Sequence, residues 1–408
     1  MLPSDKAVLF HTIIAPLQAL MAESEIAGMP DSARKLTFPR FVDLILYLCI
    51  KGLDSLRSLC SELKNNPQNV KLANLMVCGL STISEAFARY PLAVVQRLYQ
   101  MLLAKIPLPE IEEFRTLGRL AICDSSLFPV SIRAFWAVFK KHAHGLKMHL
   151  SFSLNTMLPV CFLTTNGKCD DRKSVRELIE KGITYIADRG YIAFTLLFDI
   201  LELAAFFIIR SRKNLCYQVQ QTLTVNLPEA VRYIFLAVTD ELVIFDHDHH
   251  RRVYRRISFR TRQTLFILLT NRLDLTTYEI IKLYCLRWQV ELFFRYFKQT
   301  LQAKHLLNLS EAGVAIHFYI ILIAHLLLVI FKYQQHQLFM FRQEEFKQER
   351  DEQHKEQTPA SIVFRNTEDF VAAMGKTIPR YFKITKHELQ AIRNALLQRT
   401  NQFKFAFG

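Results

Sequence analysis

The feature that most constrains the fold is a change of pattern near residue 117, where helical periodicity gives way to short β-type runs. Residues 1–110 repeat apolar side chains at three-and-four spacing, as in "PRFVDLILYLCIKGL", which is typical of packed helices. From 117 the order is three strands, a helix, a strand, a helix and a strand ending at "AFFIIR". The first strands favour antiparallel pairing and the later strand–helix alternation favours parallel pairing. The sequence therefore predicts a mixed α/β sheet with flanking helices, preceded by a helical domain.

The stretch after these strands interrupts the α/β pattern. Residues 211–272 carry further β-type runs such as "YQVQQTLTV", and helical periodicity returns only from about 276. We interpret this stretch as an all-β insertion. The pattern predicts four regions: a helical N-terminal domain (1–112), a discontinuous α/β domain (113–210 and 273–332), a β-strand insertion subdomain (211–272), and a charged linker with a helical C-terminal tail (333–408).

Two segments of the N-terminal domain allow two interpretations. Thr82 and Glu85 form a capping-box pattern that predicts a helix start in "TISEAFARY". Together with "LDSLRSLCSEL", this helix would form a DNA reader of the helix-turn-helix type. An ordinary helical bundle fits the same pattern.

Charge and composition limit the classes of partner and function that this chain can have. Lys and Arg total 52 against 37 Asp and Glu, which gives a formal net charge of +15 and favours a polyanionic partner such as nucleic acid. The eight cysteines include no C-x-x-C pair, and the first residues lack a signal-peptide pattern, so we expect a reducing, cytoplasmic location. Only 11 glycines are present and none forms a nucleotide-binding loop, which argues against an ATP-dependent motor.

One apolar stretch, residues 313–331, is nearly long enough to cross a bilayer. Its sequence, "GVAIHFYIILIAHLLLVIF", contains His317 and His325. Since no other segment resembles it, the pattern favours a helix buried in a large core over a membrane helix. We therefore expect no membrane partner.

The segment "YCLRWQVELFFRYFK", residues 284–298, places a carboxylate among cations on an otherwise apolar helix. At about 100° per residue, one narrow stripe of a continuous helix holds Tyr284, Arg287, Glu291, Arg295 and Lys298. A solvated face explains such a stripe. A buried stripe would instead need a metal ion for the carboxylate and phosphates for the cations.

Further carboxylates follow the predicted strands. Asp124 ends "LAICD" and Asp188 ends "TYIAD", and each is followed by turn-forming residues, so each carboxylate can project from the end of the sheet. Taken singly, each is an ordinary strand-end aspartate. Asp170 and Asp171 are rivals for the second position, but they precede a predicted helix, where acidic residues serve as N-caps.

A cluster of His, Asp and Arg occupies residues 246–262, "DHDHHRRVYRRISFRTR". Alternating ligands in an extended run do not readily aim at one ion, which argues against a zinc site. A turn feeding a basic β-ribbon along DNA is the better interpretation, with Arg255 and Arg256 as contacts.

The spacing Tyr284-x2-Arg287-x3-Glu291-x6-Lys298 resembles the Y-R-E-K signature of DDE transposases of the insertion-sequence-four family. "ICDSS" and "YIADRGY" are similar to the surroundings of that family's first and second catalytic aspartates. The resemblance covers about residues 117–330 well and the helical domain more loosely.

This resemblance implies an RNase H-like catalytic core with a β-strand insertion. It implies that Asp124, Asp188 and Glu291 are catalytic and bind two Mg²⁺ ions, with Mn²⁺ able to substitute. The implied reaction is endonucleolytic cleavage at insertion-sequence ends followed by strand transfer, which is cut-and-paste DNA transposition and recombination.

The resemblance also implies DNA contacts. Backbone phosphates would be contacted by Tyr284, Arg287 and Lys298, and we add Arg295 because it shares their stripe. Trp288 is either a core aromatic or a stacking surface for an unpaired base. The partner would be double-stranded DNA, both transposon ends and target, bound by a homodimer in a synaptic complex in the prokaryotic nucleoid. A catalytically inactive or domesticated DNA-binding derivative is the alternative.

Overall fold

The N-terminal domain is helical. A computed structural model describes residues 8–140, 143–262, 264–348, 367–400 and 403. Its first seven helices are α1 (Leu9–Glu23), α2 (Phe38–Lys51), α3 (Leu56–Asn65), α4 (Pro67–Leu72), α5 (Leu80–Arg89), α6 (Leu92–Ala104) and α7 (Glu112–Arg115). Helix α2 ends at Gly52, whose φ of 81° lies in the left-handed region that favours glycine.

The predicted capping box at Thr82 is wrong, because α5 already begins at Leu80 with Gly79 as its N-cap. A capping box is found instead at Ser55 and Ser58, at the start of α3. Helix α4 lies between α3 and α5, so a short turn does not join the two predicted helices. These segments form part of a helical bundle rather than a helix-turn-helix.

The strands within the described residues form one ten-stranded mixed sheet. They are β1 (Arg119–Pro129), β2 (Val138–Lys140), β3 (Ala143–Ser153), β4 (Leu158–Asn166), β5 (Ile183–Ala187), β6 (Phe206–Arg210), β7 (Tyr217–Thr222), β8 (Leu236–Phe245), β9 (Val253–Arg260) and β10 (Leu265–Thr270). Their order is β2-β3-β1-β5-β6-β10-β9-β8-β7, with β4 also paired to β3. The predicted mixed α/β sheet is confirmed: β1, β3 and β4 are antiparallel neighbours, while β1, β5 and β6 run parallel.

The predicted insertion is not a separate sheet. Strands β7 to β10, from residues 217–270, are hydrogen-bonded in turn, and β10 pairs antiparallel with β6. The stretch therefore extends the central sheet at one edge. Periodicity along one strand cannot reveal this, because it does not report which strand is the neighbour.

Two cores cover the two faces of the sheet. One face contributes Ile122, Ile186, Ile208 and Leu268 to the large core shared with the helical domain. The opposite face packs on α8 (Asp171–Arg176) and α9 (Phe194–Glu202) through Ala121, Cys123, Tyr185, Ala187, Phe207 and Ile209. Since side chains alternate along a strand, a residue two positions after Ile122 or Ile186 points to the first face.

Three helices lie on that first face: α10 (Thr277–Cys285), α11 (Trp288–Arg295) and α12 (Glu311–Gln348). A capping box of Thr276 and Glu279 starts α10. Helix α12 is long and apolar enough to cross a membrane, but the most apolar 18-residue window within Glu311–Phe341 is entirely buried inside the protein. That burial fits the core helix expected from the sequence.

The C-terminal tail packs back onto the molecule as α13 (Thr367–Thr377) and α14 (Lys386–Ala395). Arg393 of α14 donates hydrogen bonds to the carbonyls of Ile50 and Thr300. The buried Lys332 of α12 binds Glu388 at the start of α14. The predicted boundary at 332–333 falls inside α12, and most of the predicted charged linker, 349–366, lies outside the described residues.

Candidate active site

Two aspartates lie side by side on neighbouring strands of the sheet, at the point where β5 ends. Strands β1 and β5 are parallel with Ile122 opposite Ile186, and two residues further on come Asp124 and Asp188. Both therefore continue the row of side chains that faces the α10–α12 helices. The structure brings the two predicted carboxylates together. The prediction that Asp124 ends its strand is wrong, because β1 continues to Pro129 and Asp124 pairs with Leu150 of β3.

Asp124 is half-buried, with a side chain 19% exposed. One oxygen accepts a 2.8 Å hydrogen bond from the Ser125 amide. Burial raises the pKa of Asp124 to about 6, and the neighbouring Asp188 and Glu291 carboxylates add to that rise. The Arg287 guanidinium opposes it. Asp188 and Glu291 thus lie close enough to Asp124 to affect its charge.

Glu291 projects from α11, one turn after Arg287. The Arg287 Nη2 donates a 2.5 Å hydrogen bond to Glu291 Oε1, and Nη1 lies 3.7 Å from Asp124 Oδ2. Arg287 thereby bridges the third carboxylate to the first. Asp188 is held by its own turn, because its Oδ1 accepts a 2.8 Å hydrogen bond from the Gly190 amide.

The carboxylates fit a hard divalent cation by their donor chemistry, since oxygen ligands are what Mg²⁺ takes. Among the described residues, no three His, Cys, Asp or Glu side chains are close enough to hold one metal ion together. The guanidinium between Asp124 and Glu291 provides the positive charge there.

The predicted single helix over 284–298 is wrong. Helix α10 ends at Cys285, a tight turn through Leu286 and Arg287 follows, and a π-helical turn at Tyr296–Thr300 ends α11. Leu286 and Arg287 keep right-handed helical angles, so no glycine or proline marks the break.

The cations of the stripe consequently face different surroundings. Lys298 donates a 2.7 Å hydrogen bond to the Leu127 carbonyl and lies 4.5 Å from the centroid of the Phe128 ring. Arg295 is exposed to solvent. The solvated-face interpretation therefore fits Arg295, while Arg287 and Glu291 belong to the carboxylate site.

Trp288 is exposed, with 42% of its surface accessible, so the interpretation as a core aromatic is wrong. It lines a cavity of about 740 Å³ next to the carboxylates. Aromatic and basic side chains share this cavity: Phe259, Phe266, Tyr284, Arg210, Arg287 and Lys383. Tyr284 is buried in its wall and burial raises its pKa.

Arg255 is not placed to contact DNA. Its side chain is 6% exposed, pairs with the fully buried Asp240 at 2.6 Å, and donates to the carbonyls of Arg272 and Leu275. The prediction of a DNA contact at Arg255 is therefore wrong, because every hydrogen-bonding side of the guanidinium faces protein. Arg256 points to the other face, where it binds Glu241 at 2.9 Å and lies over the Tyr217 ring.

The histidine-rich turn is organised by a single aspartate. Asp248 is buried and accepts hydrogen bonds from the amides of His250 and Arg252 and from the Tyr254 hydroxyl. This arrangement supports a structural turn and agrees with the sequence argument against zinc.

The rival aspartates lie at the start of α8. Asp170 is its N-cap, accepting from the Arg172 amide, as predicted. Hydrogen bonds from the Arg172 side chain lower the pKa of Asp170 to about 2. Asp171 binds Lys147 at 3.1 Å and contacts His149 at 3.3 Å.

Sequence reasoning missed two residues near the carboxylates. Arg210 is the residue opposite Asp188 when the β5–β6 register, which pairs Ala187 with Ile209, is continued by one residue. The strand-end argument used for the aspartates could have found it. Lys383 reaches the cavity from the C-terminal tail and donates to Gln289 of α11. No local signal in the sequence connects it to this site.

Two aspartates on neighbouring parallel strands and a glutamate from a packed helix form a cluster of carboxylates, and clusters of this kind can hold the divalent metal ions used in phosphoryl transfer. Residues 116–327 match the family described as transposase DDE domain, which is more than half of the chain. The chain belongs to the DDE transposase family, as the resemblance implied.

Individual relatives agree. A Sinorhizobium fredii protein named as a transposase, y4zB, is 28% identical over 257 residues, covering 62% of this chain and 71% of its own. The protein named as the probable transposase of insertion sequence element IS5377 from Geobacillus stearothermophilus is 25% identical over 327 residues. The match covers 78% of this chain and 84% of that protein. A Synechocystis protein named for element IS4SA is 22% identical over 302 residues, covering 71% and 80%.

Among solved structures, the piggyBac transposase synaptic complex with hairpin DNA matches with a TM-score of 0.41 and 9% identity, covering 96% of this chain and 83% of that one. That score is too low to define a shared fold. The family match is sufficient for the function: the protein is a DNA transposase, and a DDE domain implies DNA binding and the use of divalent metal ions.

Proposed function

We propose that Asp124, Asp188 and Glu291 hold two Mg²⁺ ions and catalyse cleavage and strand transfer at insertion-sequence ends. The observation that carries this proposal is the juxtaposition of Asp124 and Asp188 on neighbouring parallel strands, with Glu291 linked to Asp124 through Arg287. The alternative is an inactive or domesticated DNA-binding derivative that keeps the same residues.

The sheet order supports an RNase H-like core. Leaving out the short β2, strands β4-β3-β1-β5-β6 are neighbours, the first three antiparallel and the last three parallel. This is the order that such a fold requires, and it places the first two carboxylates on adjacent central strands. Strands β7 to β10 would then be the family's insertion between the second aspartate and the glutamate.

The carboxylates would supply the charge and the oxygen ligands that two hard cations need. When bound, the metal ions supply Lewis acidity, which favours the deprotonated form of an attacking oxygen and stabilises the leaving oxygen. Arg287 lies between two of the ligands and offers a planar fork suited to a phosphate.

The proposed chemistry has two steps. Water attacks a phosphodiester at the element's end, the bond from phosphorus to O3′ breaks, and a 3′-hydroxyl and a 5′-phosphate result. That 3′-hydroxyl then attacks a target phosphodiester, forming a new P–O bond and releasing a target 3′-hydroxyl. When the opposite strand at each end is cut as well, so that the element is released, repetition of the transfer at both ends gives cut-and-paste transposition.

DNA contacts follow from the positions of the cations and aromatics. We assign Tyr284, Arg287 and Lys298 to phosphates close to the cleaved bond, and the exposed Arg295 to an outer position. Arg256 is assigned to an outer position as well, although its side chain is only 11% exposed and would have to leave Glu241. Trp288 is exposed and lines the aromatic cavity, and we assign it to stacking on an unpaired base. Two ends must be joined, so we propose a homodimer on DNA, acting in the prokaryotic cytoplasm.

Cleavage of DNA carrying the element's own ends tests this proposal. Wild type, Glu291→Gln and the exposed control Glu229→Gln are compared at matched DNA binding in Mg²⁺, and then in Mn²⁺. Cutting by wild type and the control, with binding but no cutting by Glu291→Gln, supports the catalytic assignment. If all three bind and none cuts with either ion, the DNA-binding derivative is the better description.

A further inference from the structure

We propose that a basic cleft beside Asp188 binds the phosphodiester backbone of the DNA that flanks the cleaved bond. The cleft is lined by four cations: Arg189, Arg210, Arg212 and Lys213. This inference rests on the proposed function, since it extends the path of the DNA away from the carboxylates. It assigns to these four residues a role separate from the Y-R-E-K group.

The sheet register ties the cleft to the catalytic row. Ile122, Ile186 and Ile208 are successive neighbours on β1, β5 and β6, and two residues beyond them come Asp124, Asp188 and Arg210. All three of these polar residues continue the same face at the same edge of the sheet. If the DNA backbone extends from the carboxylates along this row, its next phosphate lies beside Arg210.

The cleft has the volume and charge for a nucleic-acid backbone. Its volume is about 420 Å³, and its remaining lining residues are Ser211, Asn214, Leu215, Leu265 and Ile267, so no carboxylate belongs to it. Across the described parts of the chain, none of the four cations forms an ion pair. Four like charges brought together without a carboxylate repel one another, which a bound polyanion relieves.

Arg210 connects the cleft to the aromatic cavity. It lines both concavities, and its guanidinium lies 4.4 Å from the centroid of the Phe266 ring, which fixes its direction. Arg189, Arg212 and Lys213 are exposed and can adjust to successive phosphates. One cation held in place beside three exposed cations suits a DNA strand better than a single small anion, because contacts to phosphates must repeat along the DNA backbone.

The test compares Arg212→Gln/Lys213→Gln with the control Arg115→Gln/Lys181→Gln. The control removes the same charge from exposed residues at the amino ends of β1 and β5, the opposite edge of the sheet. Affinity for a duplex carrying one element end and its flank is measured in Ca²⁺ over a range of salt. We expect about tenfold weaker binding for the cleft variant only, with the salt slope reduced by about 1.8 for two lost phosphate contacts.

Neutral methylphosphonates, placed singly on either side of the cleaved bond, locate the contacts. Wild type should lose affinity at a few phosphates on one side, and the cleft variant should be insensitive at those positions. Equal losses by the cleft and control variants, or an unchanged methylphosphonate pattern, would overturn the inference. If the cleft pattern appears but wild type does not cut in Mg²⁺, the cleft stands and the catalytic proposal fails.

Discussion

Arg287 donates a 2.5 Å hydrogen bond to Glu291, one helical turn further along the chain. The same guanidinium lies 3.7 Å from Asp124, so a single cation offsets the charge of two proposed metal ligands. An arginine in this position stabilises the site before metal arrives. It also gives the site a charge balance that depends on one side chain.

Replacing Arg287 by alanine should make the fold more dependent on divalent cations. Without the guanidinium, repulsion among the three carboxylates is uncompensated, and a bound ion relieves more of it. We expect Mg²⁺ to raise the melting temperature of Arg287→Ala by about 2 to 4 °C more than that of wild type. Arg295→Ala, an exposed change at the end of the neighbouring helix α11, is the control. An equal or smaller rise for Arg287→Ala would contradict this role.

Arg255→Ala should lower the free energy of unfolding of the protein rather than weaken DNA binding directly. Asp240 is fully buried and also accepts from Thr277 of α10, so the ion pair joins β8 and β9 to the helices of the site. Removing Arg255 leaves the buried Asp240 carboxylate without a counter-charge, which lowers the free energy of unfolding by about 3 to 5 kcal/mol. Urea unfolding measures this, with the exposed Arg260→Ala as control. A loss under about 1 kcal/mol would argue that water reaches Asp240.

The pairs Asp124–Asp188 and Arg255–Asp240 show what the sequence could and could not predict. The proximity of Asp124 and Asp188 could be predicted, because both follow buried runs of parallel strands, although β1 itself does not end at Asp124. The partner of Arg255 could not, since Asp240 lies fifteen residues away on a neighbouring strand whose register depends on the whole sheet. The break between α10 and α11 could not be predicted either, because Leu286 and Arg287 keep helical backbone angles and the sequence around them keeps helical periodicity.

Trp288 should report DNA binding by fluorescence. The chain has two tryptophans, and the Trp136 indole is already bonded to the Leu309 carbonyl at 2.8 Å. In a Trp136→Phe background, an end duplex with an unpaired base should quench Trp288, while a fully paired duplex should quench it less. Trp288→Ala should bind the first duplex about tenfold more weakly, and Trp288→Phe should retain most of the affinity. Identical emission with both duplexes would exclude base stacking at this residue.

His325 should make the protein acid-sensitive through the core rather than through the site. Its ring is enclosed in α12 against Phe293 and Tyr296, and burial lowers its pKa to about 4. Among the described residues, neither ring nitrogen has a hydrogen-bond partner.

The folded pKa of His325 lies below the value of about 6.5 for an unfolded chain, so the unfolded state binds more protons between those values. Stability is therefore full above about pH 6.5 and falls as the pH drops toward 4. His325→Leu removes this loss, so its gain in unfolding free energy should be larger at pH 5 than at pH 8, by on the order of 2 kcal/mol. Urea unfolding at both pH values measures the difference, with the exposed His247→Leu as control. A gain that is the same at both pH values would show that the unfolded and folded chains protonate His325 alike, and that the acid sensitivity arises elsewhere.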